Sequence, residues 1–185
     1  MAIMKEIWEY IISDYYRYYG RSSNKIKVIL LALSAKNHCF TYSFWLRLCN
    51  KKNIFYYFAR LMHYRLSRKY GIQIPINTKI GYGFYIGHGV GIVINGGTII
   101  GNNVNISQFL SIGTNKNTPP HIGNNVYIGP SVCIVEDVKI EDNITIAAGT
   151  VVIKNIPSNS TVVGVPGRII GYNTHPEYIC NRYER

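Results

Sequence analysis

The sequence predicts an all-β parallel β-helix that follows an N-terminal α-helical region. The main observation is an aliphatic residue that returns at every sixth position from Ile74 to Val152. A period of six fits neither an α-helix nor an alternating strand, but it fits short strands coiled around an apolar core. The repeat has three registers: Ile74, Ile80, Ile86 and Ile92; then Ile94, Ile100, Ile106 and Ile112; then Ile122, Ile128, Ile134, Ile140, Ile146 and Val152.

Two further observations support this coil. A second apolar residue often stands four places after the first, as at Phe84, Val104 and Val126. Asn and Asp pairs separate the hexapeptides, and these residue types tolerate a positive φ at corners. The pairs are Asn102-Asn103, Asn124-Asn125 and Asp142-Asn143. Three hexapeptides make one triangular turn, so the repeats predict a short stack of about four to five turns.

The chain divides into three parts. Residues 1–71 form the N-terminal helical region, with helices predicted at 3–19, 25–35, 43–49 and 54–69 from apolar spacing. Gly71 suits the left-handed position after the last of these helices. Residues 72–171 form the β-helix domain, which the Gly-Val-Pro segment at 164–166 helps to close. Residues 172–185 are polar and are predicted to be a loose tail or a short helix.

The positive charge is concentrated in the helical region. The whole chain has a net charge of +11, and residues 1–70 carry 13 basic and 3 acidic residues of that total. This region is also rich in aromatic residues. Two interpretations stay open: a helical cap with a solvated basic face, or a surface that meets anionic lipid. No nucleic-acid-binding motif accompanies the charge, so a nucleic-acid partner is not expected.

The chain is predicted to be cytoplasmic, with peripheral membrane contact as an option. Its longest early apolar run, residues 28–35, is too short for a bilayer, which needs about 20 residues. Acidic residues interrupt the N-terminus where a signal peptide would be apolar. The cysteines form no CxxC pair and are predicted to be reduced thiols. They are Cys39, Cys49, Cys133 and Cys180.

His88 is the leading candidate for a catalytic residue. It follows Ile86 and Gly87, two places after a core aliphatic residue, so its side chain is predicted to point outward near a corner. Glycines on both sides leave room for a ligand, and a neutral imidazole accepts a proton near pH 7. The alternative interpretation is an exposed corner histidine without a function.

An insertion interrupts the repeat after Ile112. The next core residue, Ile122, follows ten positions later instead of six, so residues 113–120 are predicted to bulge outward. A loop that leaves a rigid scaffold is a frequent place for function. A plain surface insertion is the alternative.

Residues 72–170 resemble the serine acetyltransferase-like branch of the hexapeptide acyltransferases. The resemblance rests on an ordered set of segments, of which the His-Gly pair and the closing Gly-Val-Pro are the most specific. These segments are residues 80–88, 91–94, 106–113, 122–129, 147–152 and 163–166. The resemblance implies a left-handed β-helix, acetyl-CoA as the donor and a homotrimer with sites shared between subunits. It covers about half of the chain and does not extend to the N-terminal helices.

The resemblance also implies roles for individual residues. His88 would be the general base, and no metal is expected, since a metal hydratase would need three histidine ligands. We expect His121, Tyr85 and Gln108 to contact the acceptor. The pattern places the CoA arm near Gly113, Thr114, Pro130 and Ala148, and Lys154 and Arg168 are candidates for its phosphates. Pro130 lacks the N–H that the family often has at this position, which weakens that assignment.

Two departures from the family pattern decide the predicted acceptor. Serine acetyltransferases carry an acid directly before the base histidine and another about fifteen residues earlier, where this chain has Gly87 and Gln73. An acid would pair with the amino group of serine. In these departures the chain resembles a related branch of the family that lacks both acids and is associated with O-acetylation of sugars in bacterial surface polysaccharides. That resemblance implies O-acetylation of a sugar hydroxyl in surface polysaccharide biosynthesis, such as capsule or O-antigen. A serine O-acetyltransferase and a non-catalytic trimeric scaffold are the alternatives.

Overall fold

The computed structural model describes residues 2–115, 118–172 and 175–184. Residues 116–117 of the predicted insertion, and residues 173–174 and 185 of the predicted tail, lie outside the described residues. The chain begins with four α-helices, continues as a parallel β-helix and ends on a short 3₁₀ helix. The fold class predicted from the six-residue period is confirmed.

The four helices lie where apolar spacing predicts them, although the third is longer than expected. They are α1 (Ala2–Tyr19), α2 (Lys25–Ser34), α3 (His38–Cys49) and α4 (Tyr56–Tyr70). α3 starts five residues early because Asn37 caps it, with its side chain accepting a hydrogen bond from the Phe40 N–H at 3.1 Å. Gly71 ends α4 with φ 67°, as predicted. α3 is central, since it packs against α1, α2, α4 and the coil.

The coil is a triangular prism with three faces. Each face is a sheet whose coil strands run parallel and stack in chain order. The first face contains β1 (Lys79–Ile80), β4 (Ile99–Ile100), β7 (His121–Ile122) and β10 (Lys139–Ile140). The second contains β2 (Tyr85–Ile86), β5 (Asn105–Ile106), β8 (Val126–Ile128), β11 (Ile144–Ile146) and β13 (Ser160–Val163). The third contains β3 (Val93–Ile94), β6 (Ser111–Gly113), β9 (Cys133–Val135) and β12 (Val151–Val152). β14 (Arg168–Tyr172) pairs antiparallel with β13. The stack has about five turns.

The repeat aliphatics fill the prism interior. Ile86, Ile106, Ile128 and Ile146 lie on one face and are each 0% exposed. The predicted positive φ values occur at the corner between the first and second faces, where Asn103, Asn125 and Asn143 have φ 54°, 53° and 58°. Their side chains form a ladder, in which Asn125 Nδ2 donates to Asn143 Oδ1 at 3.1 Å. Turn residues and core residues therefore follow the same period.

The second face is covered from outside by both ends of the chain. Arg17 of α1 lies against it, and its guanidinium donates to the Gly83 carbonyl at 2.7 Å and to Asn105 Oδ1 at 2.5 Å. Arg17 Nε also donates to the Cys180 carbonyl of the tail at 2.9 Å. Burial lowers the Arg17 pKa to about 10. α1 and the tail do not cover the first and third faces in this way.

A buried ion pair attaches the helical region to the coil. Asp14 of α1 and Arg47 of α3 are 1% and 3% exposed, and Arg47 Nε lies 2.8 Å from Asp14 Oδ2. The pair also bonds to the coil backbone: Arg47 donates to the Ile80 and Gly81 carbonyls at 2.7 and 2.6 Å, and Asp14 Oδ1 accepts from the Phe84 N–H at 2.8 Å. These bonds satisfy both charges inside the interface.

None of the helices among the described residues has the length and apolar character needed to cross a membrane. α2, the most apolar of them, has ten residues and so is about 15 Å long. Within the same residues, no cluster of three or more His, Cys, Asp or Glu side chains is arranged to hold a metal ion.

Candidate functional site

His88 lies on an enlarged corner between the second and third faces. The register pairs Ile86 with Ile106 and Ile94 with Ile112, so the first turn needs eight residues where the next needs six. The two extra residues belong to the segment 87–93, and they lift His88 out of the regular path. His88 is exposed, as the sequence predicts, and does not point into the prism.

The corner that carries His88 is fixed by its neighbours. The Gly91 N–H donates to the Tyr70 carbonyl at 3.2 Å, and the Phe109 N–H donates to the Val90 carbonyl at 2.9 Å. Gly91 has φ +64°, and a Cβ there would lie 2.6 Å from Phe109 Cδ1. On the other side, the Gly89 N–H lies 3.1 Å from Cys39 Sγ. The backbone below His88 is therefore held by α3, by the end of α4 and by the turn beneath.

The imidazole of His88 is not held in the same way. Within residues 2–115, 118–172 and 175–184, no group hydrogen-bonds to its ring. The adjacent Gly87 supplies no carboxylate, so the ring lacks the charged partner that often orients a histidine base. A Cβ at Gly87 would meet only ordinary contacts, the nearest being the Ile106 carbonyl oxygen at 3.6 Å. This position therefore has space for a side chain.

Three of the predicted site residues stack on the corner that carries His88. The Ser131 N–H donates to the Gln108 carbonyl at 2.9 Å, and the Gly149 N–H donates to the Pro130 carbonyl at 2.8 Å. These bonds bring Gln108, Pro130 and Ala148 into one column along the second–third corner. The side-chain Oε1 of Gln108 is buried without a hydrogen-bond partner among the described residues. Buried acceptors normally have a hydrogen-bond partner, and a bound ligand can supply the one that Gln108 Oε1 lacks.

Gly113 and Thr114 lie at the opposite edge of the third face. They line a cavity of about 370 Å³ together with residues of β3, β6 and β9. Nothing lies within 4 Å of a Cβ built on Gly113, so the space beside it is open. The Gly113 carbonyl accepts from the Glu136 N–H at 2.9 Å. The third face, whose outward residues include Val93 and Ser111, separates this cavity from the corner of His88.

The remaining four predicted site residues lie outside this column and outside the cavity at Gly113. Tyr85 is on the second face under α1, where its ring centroid lies 4.5 Å from that of Tyr18, and burial raises its pKa. His121 is exposed on the first face, where it pairs in register with Ile99 and Lys139. Lys154 and Arg168 are exposed near the far end of the coil. A single subunit therefore does not bring His121 to the corner of His88, whereas the Tyr85 ring lies next to that corner, with Cε1 3.6 Å from a Cβ built on Gly87.

Sequence reasoning missed Gln73 as a part of this site's surface. Gln73 forms a bridge with Val93 and is the first exposed residue of the third face. It also lines a cleft of about 800 Å³ with Gly71 and residues of α4. The signal was present in the register, since Gln73 precedes Ile74 as Val93 precedes Ile94.

Comparison with known proteins supports the hexapeptide assignment. Residues 119–154 match the family model described as bacterial transferase hexapeptide (six repeats). A serine acetyltransferase of Staphylococcus epidermidis is 43% identical over 124 residues, which are 64% of this chain and 58% of that protein. The chain thus covers less than two thirds of the length of this relative.

Solved structures give the same family name. A serine O-acetyltransferase structure from Brucella melitensis matches 92% of this chain and 70% of its own, with a TM-score of 0.74 and 25% identity. A serine acetyltransferase from Brucella abortus in complex with coenzyme A matches 93% of this chain and 72% of its own, with a TM-score of 0.64 and 25% identity. These matches extend beyond the coil into the helical region.

The comparisons correct the predicted acceptor. Sugar O-acetylation in polysaccharide biosynthesis is contradicted, because the curated relative at 43% identity and both solved structures are serine acetyltransferases. The prediction depended on the missing acids at Gly87 and Gln73. An acid is not required for this contact, since amide oxygens such as those of Gln73 and Gln108 also accept hydrogen bonds from an ammonium group. This chain carries the hexapeptide repeat of bacterial transferases, and serine acetyltransferases are among its relatives.

Proposed function

We propose that this protein transfers the acetyl group of acetyl-CoA to the hydroxyl of L-serine, with His88 as the general base. The observation that carries the proposal is the exposed imidazole of His88 on an enlarged corner of a hexapeptide coil. The names of the relatives supply the acceptor and the donor. This proposal replaces the sugar acceptor that the sequence predicted.

The reaction needs one base and no covalent enzyme intermediate. An imidazole nitrogen of His88 takes the hydroxyl proton of serine as the serine oxygen attacks the thioester carbonyl. The carbon–sulfur bond then breaks, and the leaving thiolate receives the proton from the imidazolium. General base catalysis of this type contributes about 10²–10⁴-fold. A backbone N–H is the donor we propose for the oxyanion.

The third face offers a path for the CoA arm. We propose that the arm crosses between Pro130 and Ala148 on one edge and Gly113 and Thr114 on the other. The open space at Gly113 and the cavity of about 370 Å³ beside it support this path. Small side chains such as that of the exposed Ala148 permit a close approach. Lys154 and Arg168 are the cations we propose for the CoA phosphates.

Gly87 and Gln73 stand where serine acetyltransferases carry acids, so the amino group of serine needs neutral hydrogen-bond acceptors in this protein. We propose that the side-chain amide oxygens of Gln73 and Gln108 accept hydrogen bonds from it, and the orphaned Gln108 Oε1 supports this role. Hydrogen bonds to a neutral amide are weaker than those to a carboxylate. The KM for serine is therefore expected to be higher than in an enzyme with an acid beside the base.

A homotrimer is part of the proposal. The second face is covered by α1 and the tail, whereas the first and third faces expose apolar residues such as Ile99 (41%) and Val93 (43%). Packing of the first face of one coil beside the third face of the next would bring His121 of one subunit towards His88 of its neighbour. Sedimentation that shows only monomer at assay concentration would contradict the shared site.

The direct test is release of the CoA thiol from acetyl-CoA with and without L-serine. Serine-dependent release is expected, and His88→Ala is expected to reduce it by about 10²–10⁴-fold with unchanged thermal stability. His175→Ala, at an exposed tail histidine, is the matched control. No serine-dependent release by the wild-type protein would contradict the proposal, and an active His88→Ala variant would require another base.

A second variant tests where the amino group lies. Gly87→Asp fits the space beside the Ile106 carbonyl and restores a carboxylate next to His88. It is expected to lower the KM for serine by about tenfold, because a charged hydrogen bond replaces a neutral one. Gly87→Asn has nearly the same shape and is expected to leave KM close to that of the wild type. Equal KM values for the two variants would place the ammonium group elsewhere.

A further inference from the structure

We propose that the outer surface of the helical region binds the surface of an anionic lipid bilayer. The surface consists of the exposed sides of α2 and α4 and the loop between α3 and α4. None of its residues is assigned a part in the proposed acetyl transfer. Three observations support it: two exposed apolar stripes, a surplus of cations around them, and a long acid-free segment.

The first apolar stripe is on α2. Val28 and Ala32 of this helix are buried in the cluster around α3. Ile26, Leu30 and Leu33 recur at intervals of four and three residues on another side, where they are 70%, 63% and 58% exposed. α2 is therefore apolar on two sides, although packing against α3 explains only one of them.

The second apolar stripe begins in the loop before α4 and continues along that helix. Ile54, Phe58 and Leu61 are 87%, 54% and 49% exposed and share one side at helical spacing. The opposite side of α4 is buried through Ala59 and His63. Tyr57 and Tyr64 flank the stripe and are also exposed. Tyrosine is favoured where an apolar surface meets the headgroups of a bilayer.

Exposed cations surround both stripes. On and beside α2 these are Lys25, Lys27 and Lys36; in the loop and on α4 they are Lys51, Lys52, Arg60, Arg65, Arg68 and Lys69. The sequence contains no Asp or Glu between Asp14 and Glu136. Glu6 pairs with Lys51 at 2.6 Å, and Asp14 is buried against Arg47. The surface is therefore strongly positive where it is most apolar.

This charge favours a bilayer over a second copy of the chain. Two copies joined through this surface would place clusters of like charges against one another, which costs free energy. An anionic leaflet instead attracts each nearby Lys or Arg and accepts the apolar side chains below its headgroups. Because α2 is only ten residues long, it would lie in the plane of the interface rather than cross it.

The test is co-sedimentation of the whole protein with vesicles. Phosphatidylcholine vesicles that contain phosphatidylglycerol are expected to bind the protein at least about tenfold more tightly than pure phosphatidylcholine vesicles. Raising the salt concentration from about 0.05 M to about 0.5 M is expected to weaken binding, because it shortens the Debye length. Equal binding to both vesicle types, or none to either, would overturn the proposal.

Variants locate the binding surface. Ile26→Ser/Leu30→Ser/Leu33→Ser and, separately, Ile54→Ser/Phe58→Ser/Leu61→Ser are each expected to weaken vesicle binding by about tenfold or more. The matched control is Ile153→Ser/Ile169→Ser/Ile170→Ser, at coil residues that are 50%, 40% and 65% exposed. Circular dichroism checks that each variant is folded. If the control lost as much binding as the two stripe variants, the surface would be wrongly placed.

A double substitution that removes two cations provides a second test of the surface. Lys52→Gln/Arg65→Gln is expected to weaken binding by about 25-fold, since each cation near an anionic leaflet contributes about fivefold. Lys79→Gln/Lys139→Gln removes the same charge from the coil and is expected to have little effect. If the wild type did not bind vesicles and the stripe variants had a lower sedimentation coefficient than the wild type, the partner of this surface would be a second copy of the chain.

Discussion

The coil and the helical region are built on opposite principles. The coil repeats one small unit and buries nearly identical aliphatic layers. The chain after residue 70 carries almost no net charge, because it contains 7 basic and 6 acidic residues. The helical region has no repeat, is strongly basic and is joined to the coil by a few individual contacts, among them the buried Asp14–Arg47 pair and the hydrogen bonds of Arg17. The coil is stabilised by many equal contributions, whereas attachment of the helices depends on a few unequal ones.

The largest expected effect is at the junction of the two regions. Asp14→Ala leaves the Arg47 guanidinium buried without its carboxylate and is expected to reduce the free energy of unfolding by about 3–5 kcal/mol. Urea unfolding followed by tryptophan fluorescence measures this, since Trp8 and Trp45 are both in the helical region. Glu9→Ala, on the same helix, is the control. A change below about 1 kcal/mol would show that the junction does not depend on this pair.

The next effect tests whether the layers of the coil are equivalent. Ile106→Ala and Ile128→Ala remove core side chains that are each 0% exposed, and each is expected to cost about 2–5 kcal/mol through lost burial and the cavity left behind. Stacked repeats predict similar values for the two variants. Differential scanning calorimetry compares them. A difference larger than about 2 kcal/mol would contradict the view of the coil as a sum of equal layers.

A buried histidine gives the helical region a pH-dependent effect. His63 is 8% exposed, its Nε2 lies 2.9 Å from the Tyr42 hydroxyl, and burial lowers its pKa to about 4. The unfolded chain binds this proton near pH 6.5, so the stability from neutral His63 is present above that pH and is lost as the pH falls towards 4. The free energy of unfolding is expected to fall by about 3 kcal/mol over this pH range.

Unfolding measured between pH 7 and pH 4 checks this prediction. His63→Gln is expected to flatten that part of the curve, whereas His175→Gln, in the exposed tail, is expected to leave it unchanged. The coil contributes no buried histidine among the described residues. A slope that persists in the His63→Gln variant would assign the pH dependence to other groups.

The smallest effect is on the surface of the helical region. Lys51 and Glu6 approach to 2.6 Å, but their side chains are 44% and 42% exposed. Lys51→Ala is therefore expected to cost only about 0.2–1 kcal/mol, and less at high salt. Thermal unfolding at low and high salt measures it. A cost comparable to that of Asp14→Ala would remove the distinction between buried and exposed pairs at this junction.

The same contrast explains which predictions from sequence were accurate. The fold of the coil could be predicted because each turn repeats the requirement for an aliphatic residue inside and an Asn at the corner. The shift of two positions between Ile92 and Ile94 was visible in the sequence, and the structure shows that it belongs to the enlarged corner of His88. The exposure of His88 followed from the same register.

The start of α3 was less predictable, because its first turn mixes polar and apolar residues and its helical state depends on the Asn37 cap and on packing. The acceptor could not be derived from two missing acids, since a neutral amide can serve the same amino group. Tyr85 stays a predicted acceptor contact: alternation across the strand directs its ring outward on the second face, under Tyr18 and beside Gly87.

The sequence by itself determined the solid triangular coil, its approximate length and the outward position of His88, because local periodicity specifies which side of each short strand is buried. The tertiary structure decided the rest. It paired Asp14 with Arg47 across 33 residues, covered the second face with both ends of the chain, and left two apolar stripes exposed among cations. Those features depend on contacts between residues far apart in the chain, which no six-residue pattern encodes.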